Sequence, residues 1–546
     1  MVHGTTATSD VGGGDRLRPC SNCAPCVQEE TGTASGDSTP CGASSARRPR
    51  EKSKDQGSYS AAGIDSRAVL DYTAGAQTEA PGPEAKEETA MKQEGRSSGA
   101  EPLRSSRREF LRSSGAIAAG SALAGMAIPP VQAGEDNTIR LALIGCGGRG
   151  GGAVANAIRA PGGPVKLWAM ADLFENRLKG SHAHLSRRYG EHVDVPPDRQ
   201  FVGFDAYRKA IDCLRAGDIA LLTGYTAWRV VQLDYAVEKG VHVFMEKPFA
   251  VDPPAVRRMI KAGEAAEKKK LKIGAGLMCR HSQARQELIQ RIRDGAMGQI
   301  QLVRAYRMGG GGQVGPRKPS DNELLWQIRR RVAFLWASGG LFSELTIHQI
   351  DEICWIKDAW PVAAHGLGGR APNNKSVGQI FDTYSVEYTF ADGTKAMAVA
   401  RYIPKCHRDF ATYVHGTKCA AQFSGHVHAP TVHTYKDQRM ERDNIDWRAG
   451  KEPCGPHQAE WNVLMGAIRN DRPHNEARRA ALANLVEIIG RASVHSGKTI
   501  TWDKALASNF QFYPKIDTLD LDTPAPVQAD AQGRYPVPIP GVWSEI

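Results

Sequence analysis

Long hydrophobic runs are scarce in this sequence, and none reads as a helix that spans a membrane. The one weakly apolar stretch, Gly115 to Ile128, is too short and too rich in glycine to span a bilayer. A disulfide framework is missing as well. Of 11 cysteines, four (Cys20, Cys23, Cys26, Cys41) crowd the first segment. The other seven run from Cys146 to Cys454, several in apolar contexts that suit buried thiols, such as Cys146, Cys213, Cys354 and Cys419. Metal-ligand spacing is equally thin. Cys20-x2-Cys23-x2-Cys26 lies where no fold is expected to hold a cluster, and His426, His428 and His433 have no acid or cysteine to complete a set. A net charge of +11 would suit nucleic acid, but the basic residues are scattered. Short clusters such as Lys268–Lys270 and Arg329–Arg331 carry no interleaved aromatics, so a solvated basic surface is the expectation and a nucleic-acid partner is not.

At 546 residues the chain exceeds one ordinary core and is expected to hold two domains plus flanking segments. Residues 1–104 are rich in Gly, Ser, Thr, Glu and Arg, with almost no aromatic or branched apolar side chains. Such a segment cannot bury enough surface to offset its ordering entropy and reads as disordered. Residues 105–133 follow as a signal: Ser106-Arg-Arg-Glu-Phe-Leu-Arg112 resembles the twin-arginine export motif, with Arg112 in place of the common lysine. The weakly apolar stretch comes next, and Val131 and Ala133 have signal-peptidase spacing. The expected partners are the twin-arginine translocase and signal peptidase, and the expected location is the periplasm, with an uncleaved membrane anchor as the lesser alternative. Because Met91 lies a normal distance before the arginine pair, it is also the expected true start.

From residue 134 the pattern alternates strand and helix. Ile139–Ile144 reads as a buried strand, followed by Gly145-Cys-Gly147-Gly-Arg149-Gly150 and a small-residue helix. A lone G-x-G-x-x-G is weak. Here a second strand, from Val165 to Met170, ends at Asp172, 22 residues past Gly150, which is the context of a dinucleotide site. The first glycine permits the turn, the second lets backbone approach a pyrophosphate, and the third lets helix and strand pack; the helix N-terminus then faces the phosphates. Asp172 would accept from both adenosine ribose hydroxyls, favouring NAD, while Arg177 keeps NADP as the minority option. Arg149, Thr223 and Glu246 are the other expected cofactor contacts. Val230 to Glu238 reads as a helix stopped at Gly240, and Asp252-Pro253-Pro254 as the start of another.

Between those helices, Val241-His-Val-Phe-Met245 is a strand that stops at Glu246-Lys247-Pro248. A lysine at the carboxyl end of a strand in an open α/β sheet sits where such folds bind ligands. Further on, Leu341 to Ile356 reads as a helix, with Glu344, His348 and Asp351 on one face. Ala391-Asp-Gly-Thr394 between two alternating runs is a hairpin signal.

The glycine turn, Glu246-Lys247-Pro248 and Glu344-x3-His348-x2-Asp351 together resemble the Gfo/Idh/MocA oxidoreductase family over about residues 137–505. The likeness extends to Arg280-His281, Asp294-Gly295 through Ile300, and Gly497-Lys498 through Trp502, and is greatest for twin-arginine-exported members. It implies an α/β fold: an N-terminal Rossmann doubly wound parallel sheet, placed at 134–260, and a C-terminal α/β domain with an open, mainly antiparallel sheet, placed at 261–504. That sheet would mediate homo-oligomerisation, and a Pro-rich tail, 505–546, would wrap the surface. By resemblance Lys247 hydrogen-bonds the reacting oxygen, His348 moves the proton, Asp351 orients the imidazole and Glu344 accepts from a substrate hydroxyl. Arg280, His281, Tyr225, Trp228 and Trp336 are the expected sugar contacts, Trp336 equally fitting a core. The chain departs from the family at Arg229, which stands where many relatives carry histidine. The implied activity is NAD-dependent hydride transfer at a hydroxyl of a sugar, inositol or glycoside, with tightly held NAD. Hydrolysis or elimination through transient oxidation, and non-catalytic dinucleotide or sugar binding, are the alternatives. The family needs no metal.

Overall fold

Six short apolar runs pair in parallel to form the first sheet of the computed structural model, which describes residues 137–546 apart from 312, 429 and 430. The expected disordered segment, the signal and the Met91 start lie outside the described residues. The strands are β1 (Ile139–Ile144), β2 (Val165–Asp172), β3 (Gln200–Val202), β4 (Ile219–Leu222), β5 (His242–Met245) and β6 (Ile273–Ala275), in the order β3-β2-β1-β4-β5-β6. β1, β4 and β5 are almost wholly buried because helices cover both faces of a doubly wound sheet, which is why they read as continuous apolar runs rather than alternating ones. The crossovers are α1 (Gly148–Arg159), α2 (Glu175–Tyr189), α3 (Ala206–Asp212), α4 (Arg229–Lys239) and α5 (Pro253–Lys268). Local chemistry sets their ends. α4 stops at Gly240 in the left-handed region, and α5 begins at Asp252, whose carboxylate accepts from Ala255 N at 3.1 Å ahead of Pro253.

After α6 (Gln283–Arg293) comes a nine-stranded sheet. It comprises β7 (Ile300–Met308), β8 (Ala363–Gly369), β9 (Thr383–Thr389), β10 (Lys395–Arg401), β11 (Thr412–Gly416), β12 (Ala420–Ser424), β13 (His433–Tyr435), β14 (Ile445–Arg448) and β15 (Ile500–Thr501). The order is β14-β13-β12-β11-β7-β10-β9-β8-β15, antiparallel except for the β7–β10 pair. β9 and β10 alternate buried and half-buried residues, as a sheet packed on one face requires, and Gly393 at φ 83° closes their hairpin. The long helix α7 (Gly340–Lys357) lies on β7 and β10, and α9 (Ala477–Ser496) lies on β8 and β9 and against α5. Both helices are buried nearly all round, being pressed between the sheet and neighbouring helices.

Two boundaries differ from expectation. The first sheet runs on through Ala275, so residue 260 falls inside α5 rather than between domains. The chain also comes back: α8 (Pro456–Arg469) covers the first sheet, with Trp461 4.5 Å from Phe244 by ring centroids, and Asn475 bridges to Ile273. Separately, the tail does more than wrap. Glu545 is 1% exposed and sits in a buried slot 2.7 Å from His495 Nδ1 and 3.3 Å from Arg491 Nε.

Candidate active site

The turn after β1 is built for close approach. Gly145 has φ 97°, and a Cβ there would lie 2.3 Å from Gly224 N; a Cβ on Gly150 would lie 2.4 Å from Gly145 O. Gly147 and Gly148 have nothing within 4 Å of a hypothetical Cβ, leaving open backbone at the start of α1, where no side chain caps the helix and no acid occupies the first turn. Thr223 Oγ1 donates to Gly145 O at 2.7 Å and ties the end of β4 to the turn. Asp172 at the end of β2 accepts from Cys146 N at 2.7 Å and Phe174 N at 2.9 Å. Burial raises its pKa while those two N–H groups oppose the rise. This is the donor and acceptor set a dinucleotide needs: free N–H groups for a pyrophosphate and a fixed carboxylate for a ribose. Beside it, a cleft lined by Asp172, Leu173, Phe204, Tyr207, Tyr225 and Trp228 has the apolar walls that suit an adenine ring.

Arg177 stands over Phe174 and Tyr225 with its guanidinium carbon 5.7 and 5.9 Å from the rings. Arg149 and Glu246 pair with each other, Nε to Oε1 at 2.5 Å. Glu460 on α8 lies alongside, 2% exposed in its side chain, and burial followed by the nearby Glu246 charge pushes its pKa well up. A buried carboxyl beside Glu246 had no signal in the sequence, because α8 reaches this place only through the returning chain.

Lys247 follows β5 through a cis Lys247–Pro248 bond, and Asn484 of α9 fastens the loop beyond, accepting from Phe249 N at 2.7 Å and Ala250 N at 3.0 Å. The Lys247 ammonium donates to Glu344 O at 2.6 Å. Burial lowers its pKa, with Glu344 and Glu246 opposing. One turn along α7, His348 is 5% exposed and its Nδ1 has no hydrogen-bond partner. Burial, then the Lys247 charge and the neighbouring imidazoles, push its pKa well below the ordinary value, so it is neutral near pH 7. Lys247 and His348 are thus brought together, as the resemblance implies.

The other members of the α7 face diverge. The Glu344 carboxylate is taken by Arg331, Nε to Oε1 at 3.0 Å. Asp351 makes no hydrogen bond to His348 and does not orient it. It is 1% exposed and receives Arg280 through Nε at 2.9 Å and Nη2 at 2.8 Å. Arg280, expected on substrate, is therefore Asp351's partner; a buried carboxylate in an all-round buried helix demands a cation, and Arg280 supplies it. His281 likewise faces Glu476, 3.4 Å away. Trp336 is core: 1% exposed, its Nε1 donates to Gln327 at 2.8 Å and its ring packs on Trp228. Tyr225 stays at the edge of the adenine-side cleft, burial pushing its pKa up to about 12, so it joins the dinucleotide side. Arg229, at the departure from the family, donates to the carbonyls of Leu222 and Gly224 and fills the turn after β4.

Two histidines complete the cleft and were missed as site residues. His428, after β12, lies 6.4 Å from His348, and His457, near the start of α8, stacks on it at 5.6 Å. Burial is the main cause that lowers both to about 4, with Lys247 contributing to each. The His428 loop is held from beneath by Arg285 of α6, which donates to Val427 O at 3.2 Å and pairs with Glu352 of α7 at 2.9 Å. His433 instead belongs to β13, bonded to Tyr435 at 2.9 Å.

The chain is similar in part to known proteins. Residues 285–422 match the model of the GFO/IDH/MocA C-terminal domain. The chain is 27% identical over 182 residues to the myo-inositol dehydrogenase Hyg17 of Streptomyces leeuwenhoekii, covering 33% of this chain and 50% of that protein. It is 30% identical over 135 residues to glycosyl hydrolase family 109 protein 1 of Bacteroides fragilis, covering 24% of this chain and 27% of that protein. The chain thus spans half or less of these curated relatives. In fold it is similar to aldose-aldose oxidoreductase from Caulobacter crescentus, crystallised with glycerol. There the TM-score is 0.52 at 19% identity, over 67% of this chain and 100% of that one.

Proposed function

We propose that this chain, whose residues 285–422 match the GFO/IDH/MocA C-terminal domain, is an oxidoreductase of that family that moves a hydride between NAD and a secondary hydroxyl of a sugar, inositol or glycoside. The observation that carries this is the meeting of Lys247 and His348 at the carboxyl end of the parallel sheet that bears the glycine turn. Gly145, Gly147 and Gly150 would hold the pyrophosphate and Asp172 the adenosine ribose, its carboxylate favouring NAD over NADP. The cofactor, when bound, supplies the hydride acceptor. Lys247 keeps two ammonium protons beyond the one given to Glu344 O, and one of these points charge at an oxygen that becomes alkoxide-like as hydride leaves. His348, neutral and without a partner on Nδ1, takes the hydroxyl proton or returns it. His428 and His457, stacked on each other 5.6 Å apart by ring centroids, flank the reacting centre.

The test is to purify the full chain, assay it for bound nicotinamide, and present polyols and aldoses while following nicotinamide reduction. Absence of bound nicotinamide together with absence of affinity for it refutes the proposal. The likeness to a family 109 glycosyl hydrolase favours a second reading, in which a glycoside hydroxyl is oxidised, the aglycone leaves by elimination at the neighbouring carbon, water adds, and the hydride returns. Aglycone release from aryl glycosides without net NADH identifies that course. A non-catalytic binding protein would instead show neither. Export by the twin-arginine route belongs to the same proposal, and retention of the protein in the cytoplasm of cells with a working translocase counts against it. Homo-oligomerisation through the open face of the second sheet is also part of the proposal, and a monomeric mass in solution would exclude it.

A further inference from the structure

Among the described residues, one cation in the cleft has no hydrogen-bond or ion-pair partner. Arg307 lies on β7 with the same parity as Val303 and Ala305, both fully buried toward α7, so a guanidinium stands on the face of the sheet that should be apolar. It is opposite Ala400 of β10, and α7 passes close by, Gln349 donating to Tyr306 O at 3.4 Å. Its Nε is buried without a hydrogen-bond partner. The guanidinium carbon rests 4.0 Å from the centroid of the Phe410 ring, which in turn packs edge-on against His426 at 4.5 Å. The groups within electrostatic reach of it are Tyr402 and Arg408, together with Lys247, His426 and His428, whose own titrations it influences. No carboxylate is among them. Glu246 is taken by Arg149, Glu344 by Arg331, and Asp409, next to Phe410, faces His407 and Arg304. A half-desolvated guanidinium held over an aromatic ring and left without an anion is costly unless something arrives to pair with it.

We infer that the substrate of this cleft carries a carboxylate, seated on Arg307 with Phe410 as its backing, so that the substrate is a sugar acid rather than a neutral sugar. The inference rests on the oxidoreductase proposal for the reacting hydroxyl, but the anion site stands on its own geometry. Guanidinium and carboxylate match as two parallel hydrogen bonds, and a single free guanidinium suits one monoanionic group. The second cation, Lys247, is then left for the reacting oxygen.

The test compares equilibrium binding of matched probes to the full chain, by calorimetry, with and without saturating NADH: glucuronate against glucose, galacturonate against galactose, gluconate against sorbitol, and glucose 6-phosphate. The expected result is that at least one acid binds about tenfold to a hundredfold more tightly than its neutral partner, the range for a hydrogen-bonded charge pair. In Arg307→Gln that ratio collapses toward one, and Arg307→Lys keeps part of it. Equal binding of acid and neutral partners overturns the inference, as does a preference that survives Arg307→Gln, tighter binding of glucose 6-phosphate than of any acid, or no binding of any acid at millimolar concentration. The wild-type ratio needs no variant to fold. Failure to bind NADH would count against the oxidoreductase proposal alone, since the titrations without dinucleotide still read the anion preference.

Discussion

Replacing Asn484 with alanine tests how the loop bearing Lys247 is held. The Asn484 side chain is fully buried; its Oδ1 accepts from Phe249 N at 2.7 Å and Ala250 N at 3.0 Å, and its Nδ2 donates to Ala250 O at 3.0 Å. Truncation leaves two amide N–H groups and one carbonyl without partners among residues that are at most 1% exposed. Each dry, unsatisfied group costs about 1–3 kcal/mol. A water entering the vacated space would recover part of this, so the net cost is about 2–4 kcal/mol. Amide hydrogen exchange reads it locally: at roughly 1.4 kcal/mol per factor of ten, even the lower figure speeds exchange at Phe249 and Ala250 about 30-fold. A lower urea midpoint and a fall in turnover at unchanged cofactor affinity should accompany it, because Lys247 loses its fixed position. Unchanged exchange at these two amides, or a cost below about 1 kcal/mol, would show that α9 does not hold the loop.

Lys247→Met removes the ammonium while keeping most of the side-chain volume, and turnover should fall about 10²- to 10⁴-fold with the protein still folded; a loss under tenfold would remove Lys247 from the chemistry. Asp351→Ala strands Arg280 beside a 1%-exposed site, so stability should drop by about 3–5 kcal/mol, measured by denaturant titration. If the variant kept full stability and lost only activity, Asp351 would be catalytic after all. Acid should destabilise the fold through neutral imidazoles that are desolvated in the native state. His242, His428 and His457 have pKa values lowered to about 4, chiefly by burial, against an unfolded value near 6.5. Between those limits the unfolded chain binds more protons than the native one, so stability is complete above pH ~6.5 and falls as pH drops toward ~4. The pH dependence of the urea midpoint should report uptake of between one and three protons on unfolding; a flat profile would contradict the desolvation of these rings.

What the residues alone determined are features written in short windows. The glycine turn declares itself through its spacing, since a Cβ on Gly150 meets Gly145 O five residues back, and β1, β4 and β5 declare themselves because burial on both faces leaves only apolar choices. Lys247 and His348 were legible through the pattern around them. Partnership was not. Asp351, His348 and Glu344 share one helical face, yet the face turns past three different neighbours, and only tertiary contact sends Asp351 to Arg280, Glu344 to Arg331 and His348 to the cleft. Trp336 looks the same in sequence whether it stacks on a sugar or fills a core; packing against Trp228 made it core. His428, His457, Glu460 and Arg307 come from elements separated from Lys247 by 60 to over 200 residues, and nothing local marks them. Ion pairing and desolvation are settled by which charges the fold brings within a few ångströms, and that distance exists only once the two sheets and the returning helix have packed.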